Sequence, residues 1–330
     1  MKKLIVFTLL IFTFITKVFE INKVEIENNK LNVNGIEYFI KGICYHPVPI
    51  GKTKRNFDEI DNDLLLMQEA GINTIRVYSP IDDFNILNKI DKAGIKVITS
   101  FGYNQNGYYD ILNGTYIDYI NKFKEHNAML LWELGNEYNY HPEWFNMNIE
   151  NWYLEMNNAA KKIKRIDKNH PVSTAHGEIP NKKAREMGSN IDIWGINVYR
   201  WDNPTSLIEE WEKVSDLPLY FSETGSDSYM TEDNNGFKKG INEDAQAMAN
   251  HNIISNTFKM KDKLTGIVIF QFVDGLWKAG NPEKQDIGGW APNSTGVPYD
   301  GSPNEEFWGI VDINRNKKKT FGVIKEFFNN

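Results

Sequence analysis

Ala70-Gly71-Ile72-Asn73-Thr74-Ile75-Arg76-Val77-Tyr78 joins the end of a helix to a strand. The glycine sits where a left-handed residue ends a helix, and the apolar run behind it has the character of a buried strand. The same junction recurs at Ala93-Gly94-Ile95-Lys96-Val97-Ile98. Outward from these two joints, short apolar runs alternate with segments of three- and four-residue apolar periodicity. Strands are predicted at Phe39 to Tyr45, Thr74 to Tyr78, Lys96 to Phe101, Met129 to Leu134, Val172 to Ala175, Ile191 to Val198, Leu217 to Phe221 and Gly266 to Phe272. Helices are predicted at Asp58 to Ala70, Asp82 to Ala93, Tyr116 to His126, Glu150 to Ile166, Lys182 to Met187, Ser206 to Val214, Glu243 to Lys261 and Thr320 to Phe328. Eight βα units make an α/β fold, the (β/α)8 TIM barrel. An open doubly wound sheet would need a glycine-rich phosphate loop after the first strand, and Gly42-Ile43-Cys44-Tyr45-His46-Pro47 is not one.

Ahead of the first strand, Lys23 to Ile40 alternates apolar and polar residues around Asn28-Asn29 and Asn34-Gly35. This predicts a short N-terminal β-hairpin that lids the barrel. Residues 1–20 read as a signal peptide or N-terminal anchor, because Lys2 and Lys3 precede an uncharged apolar run from Leu4 to Thr16. Residues 21–330 are then the barrel domain, secreted or held at the cell surface, with membrane contact only if the leader stays uncleaved. Two long connections, Gly225 to Asn242 and Val273 to Trp308, should wall a cleft on the C-terminal face.

At 330 residues and 41% hydrophobic, the chain can bury a large core without cross-links. Its net charge is −7, from 37 basic and 44 acidic side chains, and no basic run tracks a phosphate backbone, so nucleic acid is not an expected partner. Cys44 is the lone cysteine and the six histidines form no close pair, so neither a disulfide nor a metal site is expected, and no cofactor motif is present. Aromatic residues reach 13%, with nine Trp, and Trp outside a core offers a flat apolar face to a ligand such as a sugar.

Two strands end on an acid. The fourth reads Leu130-Leu131-Trp132-Glu133-Leu134-Gly135-Asn136-Glu137 and the seventh Leu219-Tyr220-Phe221-Ser222-Glu223-Thr224. Three strands apart in an eight-stranded ring, Glu137 and Glu223 face each other across its mouth, which suits cleavage of a glycosidic bond. A separation of about 5 to 5.5 Å gives retention through a covalent intermediate, and about 6.5 to 9.5 Å gives inversion. Arg76, alone in an apolar strand, needs an anionic partner. Tyr199 ends the sixth strand and can donate to a carboxylate. His46 and His176 follow the first and fifth strands and are candidates for sugar contact, as is Glu178; Glu133 is a buried structural acid; Asp274 is a binding residue or a loop organiser; Trp201, Trp290 and Trp308 are candidate platforms.

Asn136-Glu137, Glu223, Arg76, Asn197-x-Tyr199 and Trp277 together resemble the clan A retaining β-glycoside hydrolases. The resemblance runs from about Lys23 to the C-terminus. It is closest to the family 2 catalytic barrel, with family 5 and the β-1,3-glucanosyltransferases as relatives, although the chain carries neither the β-sandwich domains of the first nor the cysteines of the last. It implies that Glu137 is the acid/base, Glu223 the nucleophile held ionised by Arg76 and Tyr199, Asn136 a ligand of the sugar 2-hydroxyl and Trp277 the floor under the sugar ring. It further implies a retaining hydrolase on a β-linked oligo- or polysaccharide, with β-1,3-glucan favoured. The alternatives are a β-glucan transglycosylase and a non-catalytic glycan-binding barrel.

Overall fold

The computed structural model describes residues 22–330 apart from 105–107, 201–202, 290–299 and 301–303. The leader expected at 1–20, and Trp201 and Trp290, lie outside the described residues. Three short antiparallel strands come first, β1 (Val24–Glu27), β2 (Lys30–Val33) and β3 (Ile36–Glu37). The barrel strands follow: β4 (Ile40–Cys44), β5 (Thr74–Val77), β6 (Lys96–Phe101), β7 (Met129–Asn136), β8 (Val172–Gly177), β9 (Ile193–Asn197) and β10 (Leu219–Thr224). After a two-stranded excursion, β11 (Tyr229–Met230) and β12 (Gly240–Ile241), the strand β13 (Gly266–Ile269) pairs with both β10 and β4 and closes a parallel barrel.

The helices are α1 (Ile60–Glu69), α2 (Phe84–Lys92), α3 (Tyr116–Phe123), α4 (Ile149–Ile166), α5 (Lys182–Met187), α6 (Thr205–Trp211), α7 (Glu243–Lys259) and α8 (Lys319–Phe328). Asp83, Asn148, Asn181 and Asn242 cap α2, α4, α5 and α7 by accepting backbone N–H bonds from the first turn. Gly71 and Gly94, both at φ +75°, end α1 and α2 as their sequence position requires.

The strands bearing the two acids run further than their apolar cores. β7 continues to Asn136 and β10 to Thr224, and each shifts register at its end, between Leu134 and Asn136 against β8 and between Phe221 and Glu223 against β9. These irregularities re-aim the last side chains at the barrel mouth.

The N-terminal strands lid the barrel at its floor. Asn22 donates to the carbonyls of Asn127 and Met129, Val24 N–H to Asn169 at 2.7 Å and Tyr38 Oη to Asn73 at 2.6 Å. Asn73, Asn127 and Asn169 all precede barrel strands, so the lid sits opposite the C-terminal face. Val24 and Leu31 enter the barrel interior with Ile40, Ile98, Leu131 and Ile193. Leu31 is 1% exposed, and Leu31→Ala is expected to cost about 2–5 kcal/mol of unfolding free energy, read by urea denaturation. A smaller loss would mean the floor collapses around the gap.

Candidate active site

Alternation along the strands places Arg76 and Tyr78 of the β5 side, Ser100 of β6, Glu133 of β7, Ser173 of β8 and Tyr220 of β10 inside the barrel. Gly195 on β9 makes room: a Cβ there would lie 2.8 Å from the Tyr220 hydroxyl. Tyr220 therefore crosses the interior to donate to Glu133 at 2.5 Å, and Ser100 donates to the same carboxylate. Arg76 is fully buried and grips Glu133 through Nε at 2.8 and 3.1 Å. Its Nη1 reaches Glu223 at 2.7 Å and its Nη2 reaches Asn136 Oδ1 at 2.8 Å. One guanidinium thus joins a deep acid, a mouth acid and an amide, a geometry a lysine could not reproduce.

Glu223, 5% exposed, accepts three bonds: from Arg76, from Tyr78 Oη at 2.7 Å on the same oxygen, and from Tyr199 Oη at 2.9 Å on the other. Burial, with Cys44 and Glu223 adding, holds the Tyr78 phenol well above its ordinary pKa; burial and Glu223 do the same for Tyr199, so both remain donors. Asn136 Oδ1 also accepts from Asn197 at 3.1 Å, and Asn197 Oδ1 accepts from Ser222 at 2.7 Å, which fixes both amides.

Glu137 leaves β7 in a left-handed conformation, φ +55°, its N–H bonded to Ala175 at 2.8 Å. Left-handed non-glycine residues are uncommon and gather at functional sites. Burial and then the charge of Glu223 push the Glu137 carboxyl up to about 7, against a hydrogen bond with Asn197 and the charge of Arg76. The mouth therefore holds one carboxylate fixed by three donors and one carboxyl that carries its proton near neutrality. Divergent environments of this kind divide a pair into a fixed anion and an acid.

Both acids line one cleft of about 850 Å³ at the C-terminal face, with His46, Asn136, Tyr199, Trp277 and Glu178. Trp277 and His46 lie with ring centres 5.2 Å apart. Burial lowers the His46 pKa to about 3, leaving the ring neutral, and among the described residues neither its buried Nδ1 nor Nε2 of Gln271, also in the cleft wall, has a hydrogen-bond partner.

His176 does not reach this cleft, contrary to the sequence expectation. Ser173 faces inward to Tyr220, so His176, at odd spacing on the same strand, faces outward. Its ring packs near Tyr153 of α4 and Trp194 of β9, and its Nδ1 meets the carbonyls of Gly177 and Glu178. Glu133 is the buried structural acid expected, and Asp274 organises its loop, bonding Lys318 and the N–H of Gly309. Of the two long connections, only the later one supplies described lining residues, Trp277, Lys278, Glu305 and Trp308. The earlier one buttresses it: Ser228 N–H donates to Phe307, and the rings of Tyr229 and Phe307 lie 4.9 Å apart.

Sequence reasoning passed over Tyr78, Phe270, Lys278 and Glu305. Tyr78 was readable, two residues beyond Arg76 on the same face of the strand. Phe270 packs edge-on to Trp308 at 5.5 Å, and the Lys278 ammonium lies 4.1 Å above the Phe270 ring and 3.8 Å from Glu305. Phe270 ends a readable apolar run, but Lys278 and Glu305 reach it only through an irregular loop, which carries no periodicity to read.

No family model matches the chain. It is 26% identical over 239 residues to a 1,3-beta-glucanosyltransferase of Saccharomyces cerevisiae, covering 60% of this chain and 50% of that protein. It is 23% identical over 289 residues to a beta-galactosidase of Lactococcus lactis, covering 81% of this chain and 26% of that protein. The chain thus spans half or less of the length of these relatives. Among solved structures, a GH2 beta-galacturonidase of Eisenbergiella tayi superposes with a TM-score of 0.70 at 18% identity, over 93% of this chain and 54% of that one. The barrel fold is shared with that galacturonidase, in agreement with the resemblance to the clan A glycoside hydrolases.

Proposed function

We propose that the protein processes β-linked glycans by double displacement, with Glu223 as nucleophile and Glu137 as acid/base. The observation that carries this reading is the contrast between the two mouth acids: three donors on Glu223, and a Glu137 carboxyl raised to about 7. Glu137 protonates the departing oxygen while Glu223 attacks the anomeric carbon. Once Glu223 is esterified its charge is gone, Glu137 becomes more acidic, and it then accepts a proton from water or from a sugar hydroxyl. Hydrolysis and transfer share this intermediate, and likeness to a glucanosyltransferase favours transfer as a substantial outcome.

Asn136, Trp277 and His46 are read as sugar ligands, and Arg76 and Tyr199 as the groups that position Glu223. Lys278, the one ammonium among the described lining residues, already faces Glu305 at 3.8 Å, which favours a neutral sugar over a uronide. A β-glucan, with β-1,3 linkage first, is the substrate proposed, and residues 1–20 are read as an export signal or anchor. Masses of products from β-1,3-, β-1,4- and β-1,6-glucans test the linkage, and proton NMR of the first-formed anomer tests retention; an inverted product would overturn the mechanism.

The sign of the pH dependence follows from Glu137. Because it must start protonated, kcat/KM on substrates with poor leaving groups is expected to fall about tenfold per pH unit above roughly 7. Glu137→Gln should erase that limb. A profile flat to pH 9 would remove Glu137 from the role of acid.

A further inference from the structure

The loop that begins at Glu137 continues into an aromatic surface that the mechanism leaves unused. Tyr140 is 53% exposed and lines the same cleft as the two acids. Its ring lies against the end of β8 where residue 177 is glycine; a Cβ there would overlap the ring. Asn139 locks this arrangement with two bonds to Gly177, donating to its carbonyl at 3.0 Å and accepting from its N–H at 2.9 Å. Tyr140 N–H in turn donates to the Glu137 carbonyl at 3.0 Å. Glu137 and Glu178 both act on the Tyr140 phenol, which burial and those charges raise to about 12. Farther along the same loop, Trp144 is 46% exposed, lines the cleft and stacks on His141 at 3.9 Å.

We infer that Tyr140, clamped on Gly177 beside Glu137, is the platform for the pyranose ring of a saccharide acceptor, with Trp144 extending it outward. The inference rests on the double-displacement reading above and adds to it the site that chooses saccharide over water. A sugar has an apolar C–H face that stacks on an aromatic ring, and the protonating side of the cleft is where the leaving or incoming group sits. In the transfer step the acceptor hydroxyl oxygen bonds to the anomeric carbon and its proton passes to Glu137. The bond from that carbon to Glu223 breaks, and the electron pair returns to the carboxylate.

The test uses the full chain with nitrophenyl β-glycosides of neutral hexoses as donors and laminaribiose or cellobiose as acceptor. Mass spectrometry reads the ratio of transfer product to free sugar, a ratio indifferent to how fast the glycosyl-enzyme forms. Tyr140→Ala is expected to lower the ratio at least tenfold, Tyr140→Phe to keep it within threefold, and Gly177→Ala, which displaces the ring, to lower it as Tyr140→Ala does. An unchanged ratio in Tyr140→Ala, or donor turnover by the wild type with no saccharide transfer, overturns the platform and leaves the parent reading standing. Absence of nitrophenol release by the wild type on every donor, with no glucan cleaved, overturns the parent reading instead.

Discussion

Glu223→Gln is expected to lower kcat on an activated aryl β-glycoside by about 10⁴-fold or more, which at 1.36 kcal/mol per tenfold is about 5 kcal/mol of barrier. Glutamine keeps the shape and can still meet Arg76, Tyr78 and Tyr199, but it offers no anion to attack the anomeric carbon. Glu137→Gln should lose far less on a nitrophenyl donor, since that leaving group departs without a proton. Azide separates the two roles further. With Glu223→Ala it enters from the side the carboxylate vacated and yields an α-glycosyl azide, whereas with Glu137→Ala it captures the intermediate as the β-product. Residual activity above a tenth in Glu223→Gln, or exchanged azide products, would reverse or remove the assignment.

Arg76→Met should be the most destabilising single change at the centre of the barrel, by about 3–5 kcal/mol, because it strips the counter-charge from Glu133 and Glu223 at once. Arg76 and Glu133 are wholly buried, so no water replaces the lost bonds. The expected reading is a lower urea midpoint at unchanged slope. Lys89→Ala, which breaks the exposed pair with Asp61, should stay within about 0.5 kcal/mol of wild type. A loss below about 1 kcal/mol in Arg76→Met would mean that the buried acids take up protons instead. On the proposed mechanism the same trio bears on turnover, because esterifying Glu223 would leave the Arg76 guanidinium facing Glu133 alone.

The eight strands and helices were legible because each strand is an apolar run and several helices stop at a glycine, Gly71 and Gly94 most plainly. Glu137 and Glu223 stood out as acids closing such runs, and Arg76 as a charge that an apolar strand cannot hold alone. What escaped was orientation. His176 closes an apolar run, as Glu137 does, but it lies within β8 and strand parity turns it toward α4, while the register shift in β7 turns Asn136 and Glu137 inward; a shift of that kind has no signature in composition. The floor position of β1–β3 likewise depends on which ends of the strands they meet, and local alternation does not encode that. Lys278 and Glu305 reach the cleft from a loop whose path is set by tertiary contacts such as Tyr229 against Phe307.

Both ends of the described chain meet the barrel on its closed side. Asn22 bonds the backbone at Asn127 and Met129 beneath β7, and the last helix brings Phe328 within 2.5 Å of the Lys41 ammonium near the start of β4. A tether attached at Asn22 or at Asn330 therefore hangs from the base, and leaves the face that carries the cleft turned away from the surface that holds it.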